Sequence, residues 1–242
     1  MIALKRIRTG VAIHSKYRGA EKIKMDKALM DAQRKFLFNS SEKLEFNSNF
    51  WKTSKTQLKK ESKGKCAYCE ANTQVVAHGD VEHYRPKSIY WWLAYTYDNY
   101  LYACQICNQT YKSDNFPIGG NRLSGPAIES TTTDGDIDLL AGSISPDPLA
   151  ITSNYTLQRF LQEHKKEKPF LINPYFDDPE KYFAYEADDI LKEVKVVPAK
   201  PATALHVKAA EDFYGINRIE LKNIRYKVFR SFQDYKKVYQ FH

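Results

Sequence analysis

Long hydrophobic runs are missing from this chain of 242 residues. Because a membrane-spanning helix needs about 20 apolar residues in succession, their absence argues against a transmembrane protein and against a membrane partner. Residues 1–10 (MIALKRIRTG) are short and basic and lack the apolar core of a secretory signal peptide. We therefore expect a soluble, cytoplasmic protein.

Cysteine is scarce, and its four copies all lie in two C-x2-C pairs, Cys66 with Cys69 and Cys104 with Cys107. In a chain expected in the cytoplasm, this pattern argues against a disulfide framework and for thiolates on a metal ion. Two such pairs complete the tetrahedral shell of a structural Zn²⁺ and leave no open position for substrate. The alternative, four ordinary core cysteines, would leave the shared spacing unexplained.

Acidic residues are outnumbered, with 29 Asp and Glu against 37 Lys and Arg, so the formal net charge is +8. This balance favours a polyanionic partner, although a well-solvated surface has the same composition. The chain also lacks an internal repeat beyond the paired C-x2-C. Its length suffices for one or two domains with their own apolar cores.

Helical patterns stand at both ends of the chain. Residues 21–37 carry apolar side chains at helical intervals, and residues 203–239 do so again with a break at 215–217. Residues 119–147 are rich in Gly, Ser, Thr and Pro, which predicts a long surface loop or hinge. We therefore expect an α+β protein with a helical region at 1–64, a compact core at 65–118, a loop at 119–150 and a mostly helical region at 151–242.

Three short motifs lie between and across the cysteine pairs: GDVEHYRPK at 79–87, YDNYL at 97–101 and CQICNQTYK at 104–112. Together they resemble the HNH (ββα-metal) nuclease family, in a carboxylate and histidine followed by proline, an asparagine after a second strand, and a C-x2-C-N-x3-K that opens a helix. The resemblance implies a ββα-metal finger that a four-cysteine zinc site pins and helical segments flank. It also implies an endonuclease that hydrolyses phosphodiester bonds with a metal ion.

His83 is the expected general base, because neutral imidazole, with an ordinary pKa of about 6.5, accepts a proton from water at working pH. The resemblance implies that Glu82 and Asn108 hold one Mg²⁺ or Mn²⁺ through oxygen ligands. It further implies that Asn99 orients the histidine by hydrogen bonding. Lys112, four residues after Asn108 on a predicted α-helix, would then reach the scissile phosphate.

Other residues of the first motif have less specific assignments. Arg85 and Lys87 are expected to contact nucleic acid through their positive charges. Asp80 would either support the metal-binding carboxylate of Glu82 or belong to a turn. In a regular strand Glu82 and His83 face opposite sides, so both serve one phosphate only if the strand bends near the following proline.

Residues 88–96 (SIYWWLAYT) depart from the HNH pattern, whose members usually carry a short glycine-containing loop here. The aromatic rings of this segment would form core, stack on bases or contact a partner. Core packing is the favoured interpretation.

Later segments carry a second resemblance. LINPY at 171–175, DDPE at 177–180 and GINR at 215–218, with Leu221 and Arg225, are similar to the PtuB-type HNH proteins of Septu and retron-associated anti-phage systems. This similarity implies a nucleic-acid substrate with DNA favoured, a PtuA-type ATPase as partner and, in retron systems, a reverse transcriptase with its multicopy DNA. Two alternatives stay open: a ribonuclease that cuts host RNA such as tRNA through the same site, and a zinc-dependent module that binds nucleic acid or a partner without catalysis.

Overall fold

The computed structural model describes residues 1–39, 43–73, 79–150 and 154–239. The α-helices in these ranges are α1 (Gly19–Phe38), α2 (Ser48–Lys52), α3 (Lys55–Glu61), α4 (Asp134–Leu140), α5 (Leu157–Glu167), α6 (Ala204–Tyr214) and α7 (Ile219–Tyr239). The strands are β1 (Asp80–His83), β2 (Tyr100–Ala103), β3 (Phe183–Asp188) and β4 (Glu193–Pro198). Single 3-10 turns occupy Ser15–Tyr17, Trp91–Leu93, Tyr97–Asn99, Pro179–Lys181 and Pro201–Thr203, and Ile106–Lys112 is π-helical. This mixture of helices and small sheets confirms the predicted α+β class.

Two antiparallel hairpins supply the sheets of the described chain. In the first, β1 pairs with β2 so that His83 lies opposite Tyr100. In the second, β3 pairs with β4 so that Phe183 lies opposite Pro198. Helices α2 and α3 pack against the first hairpin, and α7 packs against β4. Within the described ranges, no helix combines the length and the apolar character needed to cross a bilayer.

The larger apolar cluster joins the first hairpin to the C-terminal helices. Its buried members include Tyr68 and Leu101 from the cysteine-rich segment and Phe160 and Tyr214 from α5 and α6. The rings of Tyr68 and Tyr214 stack with 3.8 Å between centroids and 15° between planes. Because the members come from both sides of residues 119–150, one apolar core connects the cysteine-rich segment to α5 and α6.

A second apolar cluster lies between the first hairpin and the N-terminal helices. It contains Leu29 of α1, Phe50 of α2 and Leu58 of α3, which pack with Val81 and Tyr100 of the hairpin. The aromatic segment 88–96 also faces inward, because its side chains from 92 to 96 are all buried. This burial agrees with core packing as the role of that segment.

The chain after Cys104 forms a π-helix rather than the predicted α-helix. The Ser113 N–H donates to the Asn108 carbonyl oxygen at 2.8 Å, which is the i to i+5 bond of a π-helix. Helix α6 ends against this segment at Gly215, whose φ is +58°. A Cβ atom at Gly215 would lie 2.5 Å from the Tyr111 ring, so the predicted break at 215–217 requires glycine.

A helix also interrupts the predicted loop at 119–150. Helix α4 begins after Thr133, whose side chain accepts from the Asp136 N–H while the Asp136 carboxylate accepts from the Thr133 N–H. This reciprocal pair satisfies backbone donors that a helix leaves unpaired at its start. The sequence analysis missed this capping pair because the residues around α4 are rich in Gly and Ser, a composition that predicts a loop.

Candidate functional site

The four cysteines form one buried cluster at the base of the first hairpin. Their Sγ atoms all lie within 4.8 Å of one another, and the Sγ atoms of Cys69 and Cys104 are 3.9 Å apart. Sulfurs on a tetrahedral Zn²⁺ with bonds of about 2.3 Å are separated by about 3.8 Å. All four thiols are free of disulfides. The cluster could therefore hold a zinc ion.

This cluster is positioned by the turn after α3, the end of β2 and the start of the π-helix. The first cysteine pair lies in the turn after α3, and the Ala67 N–H donates to the Tyr102 carbonyl of β2 at 2.8 Å. The second pair starts where β2 ends, and its Cys107 N–H donates to the Cys104 Sγ at 3.5 Å. Hydrogen bonding to Cys107 lowers the pKa of the Cys104 thiol, which favours the thiolate that a metal ligand requires.

Arg218 adds a positive charge to the cluster from the junction of α6 and α7. Its Nη1 donates to the Cys107 Sγ at 3.5 Å and to the Gly215 carbonyl at 3.1 Å. A zinc ion held by four thiolates has a net negative charge, which a neighbouring guanidinium offsets. The GINR segment that contains Arg218 therefore contacts the predicted metal cluster, a role that the sequence did not reveal.

A cleft of about 330 Å³ opens between the end of β1 and the π-helix. Three of the residues predicted to act on phosphate line it together, namely Glu82, His83 and Asn108, and the predicted nucleic-acid contact Lys87 lines it too. The remaining lining residues are Trp51, Val81, Pro86, Gln109, Ser113 and Asp114. Glu82 and His83 thus border the same cleft, as does the preceding residue Val81.

The imidazole of His83 is held in one orientation. Its Nε2 lies 2.9 Å from the Ala94 carbonyl oxygen, which can only accept, so Nε2 carries the hydrogen and Nδ1 keeps its lone pair. Among the residues that the structure describes, none hydrogen bonds to Nδ1. Burial lowers the pKa of His83 to about 3, so the ring is neutral at pH 7.

Two aromatic rings flank His83. Trp51 meets the imidazole edge to face at 4.8 Å between centroids, and Tyr100 does so at 5.1 Å. Trp51 comes from α2, outside all three motifs, and sequence reasoning missed it. Its signal was a large aromatic residue inside the lysine-rich stretch 46–65, which a solvated helix does not need.

Glu82 and Lys112 form a buried ion pair beneath the cleft. The Lys112 Nζ lies 2.6 Å from the Glu82 Oε1 and also donates to the His83 carbonyl at 3.0 Å. Burial raises the pKa of Glu82, and the Lys112 ammonium opposes that rise. Lys112 is fully buried and does not line the cleft, so it reaches Glu82 rather than the phosphate that the sequence predicted.

Asn99 is linked to His83 through the backbone. Its Oδ1 accepts from the Arg85 N–H at 2.8 Å, and its Nδ2 donates to the carbonyls of Arg85 at 3.0 Å and Leu93 at 3.3 Å. The next carbonyl, that of Ala94, accepts from His83. Asn99 therefore holds residues 85 and 93, the two ends of the segment that leads to the Ala94 carbonyl. It makes no direct hydrogen bond to the imidazole ring.

The side chain of Arg85 lies in the core, whereas the sequence suggested a contact with nucleic acid. Its side chain is fully buried, and its Nε and Nη2 donate to the Glu167 Oε2 at 2.8 and 2.6 Å. Tyr90 and the Leu123 N–H donate to the other carboxylate oxygen of Glu167. Arg85 thus joins the motif to the end of α5 and, in this geometry, is not available to nucleic acid.

Replacing Arg85 with Met is expected to lower the free energy of unfolding by about 3–5 kcal/mol, because Glu167 is left as an uncompensated buried charge. Denaturant unfolding of the purified variant measures the change. Arg159→Met is the matched control, since Arg159 pairs with Glu163 on the surface of the same helix and its loss should cost less than about 1 kcal/mol. Equal effects of the two substitutions would contradict the assignment.

Lys87 and Asp80 occupy the two margins of the site. The Lys87 Nζ lies 5.8 Å from the centroid of the Trp51 ring, at the cleft wall. Asp80 lies at the far end of β1, where it pairs with Lys55 at 3.3 Å and accepts from the Gln109 Nε2 at 3.5 Å. Asp80 does not line the cleft, and of its described partners Gln109, the neighbour of Asn108, is the one that does.

The chain is similar to a curated bacterial protein. It is 28% identical over 219 residues to the Septu protein PtuB of Bacillus mycoides (strain KBAB4), across 84% of this chain. The match spans 60% of the length of that relative. No protein-family model and no solved structure matches the chain. The similarity supports the PtuB-type resemblance predicted from the later segments.

Proposed function

We propose that the chain is an HNH-type endonuclease that hydrolyses nucleic-acid phosphodiester bonds with a metal ion, with DNA as the favoured substrate. The observation that carries this proposal is the convergence of Glu82, His83 and Asn108 on one cleft beside a four-cysteine cluster. A module that only binds would not need an imidazole fixed at Nε2 in the wall of that cleft.

In this proposal, His83 accepts a proton from the attacking water at Nδ1. The Ala94 carbonyl accepts from Nε2–H, so the proton stays on Nε2 and Nδ1 remains the unprotonated nitrogen. A base with a pKa of about 3 is weak, but that value comes mainly from burial. A phosphate anion in the cleft favours the imidazolium that forms as the proton is taken.

Glu82 and Asn108 are the residues that would hold Mg²⁺ or Mn²⁺. One carboxylate and one amide oxygen suit a hard cation, which when bound stabilises negative charge on the phosphate. Lys112 has a supporting role, because its ammonium opposes protonation of the buried Glu82 carboxylate. The four thiols would bind the structural Zn²⁺, and Arg218 donates to one of them, that of Cys107. Together they fix the start of the π-helix that carries Asn108.

The biological setting that we propose rests on the similarity to the Septu protein PtuB. We place the chain as the nuclease effector of an anti-phage defence system, in complex with a PtuA-type ATPase. A nuclease whose cleft is open needs control in its host, and a partner ATPase would provide that control. A retron reverse transcriptase with its multicopy DNA stays a further partner to be tested in the same complex.

The experiment that tests the activity is a cleavage assay on the purified chain, alone and with the ATPase. Supercoiled plasmid, linear duplex DNA and total tRNA are incubated with Mg²⁺ and, in parallel, with a chelator. We expect cleavage of DNA in Mg²⁺ and none with the chelator. Cleavage of tRNA alone would assign the ribonuclease, and binding without cleavage in every mixture would assign the non-catalytic module.

Lys87→Ala is expected to weaken the binding of nucleic acid by the same factor for every nucleotide sequence. Loss of one phosphate contact should reduce affinity about fivefold and lower the slope of log K against log salt by about 1. Fluorescence anisotropy with labelled duplex DNA across a salt series measures both values. Lys24→Ala, on the exposed face of α1, is the control and should match the wild type. An unchanged salt slope in Lys87→Ala would remove Lys87 from the interface.

A further inference from the structure

The side chain of Tyr68 reaches from the four-cysteine cluster to the carboxylate that lines the cleft. Tyr68 stands between Cys66 and Cys69 in the sequence, and it is fully buried. Its hydroxyl donates to the Glu82 Oε1 at 3.3 Å. Tyr68 therefore connects the turn that carries the first cysteine pair to strand β1.

The Tyr68 ring has little freedom to move. The turn that carries it is closed by the Glu70 N–H, which donates to the Cys66 carbonyl at 2.9 Å. The preceding residue, Ala67, is hydrogen bonded to β2, and the ring itself stacks on Tyr214 of α6. A hydroxyl on a ring held in this way donates from a fixed place, so it restricts where its acceptor can lie.

The carboxylate of Glu82 is held through one of its two oxygens. Oε1 accepts from the Tyr68 hydroxyl and also pairs with the Lys112 ammonium. Oε2 has no hydrogen-bond or ion-pair partner among the residues that the structure describes. Oε2 is also not one of the unpaired side-chain atoms that are sealed from solvent in those residues. Because Glu82 lines the cleft, Oε2 is the oxygen that a cation there can reach.

A buried hydroxyl needs a partner in any core, so the hydrogen bond alone does not assign a role to Tyr68. Its neighbours in the same apolar cluster satisfy this need with backbone oxygens. The Tyr84 hydroxyl donates to the Leu171 carbonyl, and the Tyr214 hydroxyl donates to the Ile172 carbonyl. Tyr68 instead donates to a carboxylate at the cleft, where its position affects what that carboxylate can bind.

We propose that Tyr68 is a positioning residue for the divalent cation, because with Lys112 it occupies Oε1 of Glu82 and leaves Oε2 to face the ion. Hydrogen-bond partners of metal ligands typically contribute about 10–100-fold to metal affinity or activity. The four-cysteine cluster would then set the geometry of the cation site as well as the fold. The inference rests on the proposed function in one respect: it takes Glu82 as a ligand of that cation.

The test compares two variants of the full-length chain that each lose one buried hydroxyl. Tyr68→Phe keeps the ring that stacks on Tyr214. The matched control is Tyr84→Phe, since Tyr84 is equally buried in the same cluster and donates away from Glu82. Each protein is loaded with one equivalent of Zn²⁺, which Mn²⁺ does not displace from thiolates. Binding of Mn²⁺ without nucleic acid is then followed by the electron paramagnetic resonance signal of the free ion.

We expect Tyr68→Phe to weaken Mn²⁺ binding about tenfold, the lower end of the range, because 3.3 Å is long for a hydroxyl and a carboxylate. The Mg²⁺ concentration for half-maximal cleavage should rise by a similar factor, while the rate at saturating Mg²⁺ stays within about threefold. Tyr84→Phe should stay within about twofold of the wild type in both measurements. Both variants should lose stability to a similar extent, since each lacks one buried hydrogen bond.

Other results overturn the inference in distinguishable ways. Unchanged Mn²⁺ affinity in Tyr68→Phe shows that the hydroxyl only fills the core, and the proposed nuclease stands. An equal loss of affinity in both variants assigns the effect to core packing. Loss of zinc or of the folded state in Tyr68→Phe alone assigns the hydroxyl to stability. A wild type that binds no Mn²⁺ counts against the cation of the proposed function itself, and the inference falls with it.

Discussion

Chelation of zinc is expected to unfold the cysteine-rich segment and to abolish every activity of the protein. Structural Zn²⁺ contributes about 10–16 kcal/mol to the folding of zinc-finger peptides, which matches or exceeds the whole stability of an ordinary domain. The cluster here joins the turn after α3, the end of β2 and the π-helix, so the loss of the metal releases three elements at once. Cys104→Ser with Cys107→Ser should have the same effect as the chelator.

Metal analysis and thermal unfolding check this expectation together. The wild type should contain one zinc per chain and lose its cooperative unfolding transition after treatment with a strong chelator. The Cys104→Ser, Cys107→Ser protein is the control for side effects of the reagent, because the chelator should change nothing further in it. A wild-type protein that unfolds at the same temperature with and without bound metal would show that the thiols are ordinary core residues.

The cysteine cluster was predictable because the geometry of a metal shell acts locally. A C-x2-C step can place two sulfurs on one tetrahedral ion whatever the rest of the chain does, so the spacing predicted each pair. The need of such an ion for four ligands then predicted that Cys66 and Cys69 lie close to Cys104 and Cys107, as they do. The helices at both ends and the break at Gly215 were predictable for a similar reason, since periodicity and left-handed φ values are properties of short segments.

The differences between prediction and structure concern charged residues whose partners are distant in sequence. Arg85 stands beside His83 in the motif, but its partner Glu167 lies on α5, and no local pattern links them. Lys112 was placed four residues from Asn108 on an α-helix, whereas the chain is π-helical there and buries its ammonium beside Glu82. A basic side chain near a motif therefore cannot be assigned to the substrate until its tertiary contacts are known.

Asn99 is linked to His83 by a route that the sequence did not predict. The sequence predicted that it orients His83, and the structure links the two residues through the carbonyls of Leu93 and Ala94. The aromatic segment that contains both carbonyls is buried from residue 92 to residue 96, so it packs in the core. Residues 88–96 stand where the HNH pattern that the sequence resembles usually has a short glycine-containing loop.

His83→Ala is expected to reduce cleavage by at least about 10³-fold while the fold and the zinc content persist. A general base contributes about 10²–10⁴-fold, and in this cleft no second imidazole from the described residues lines the wall to replace it. Single-turnover cleavage of duplex DNA in Mg²⁺ measures the rate, and metal analysis with thermal unfolding verifies the fold.

His206→Ala is the matched control for that substitution. His206 also lies against an aromatic ring, that of Tyr182 at 4.6 Å between centroids, and it lines a separate cavity with His164 and Asp177. Its replacement removes the same imidazole from a packed site but should leave the cleavage rate within about twofold, because the side chain that accepts the proton from water is untouched. If His83→Ala kept full activity, or if both variants lost it equally, the proton acceptor would have to be sought outside this cleft.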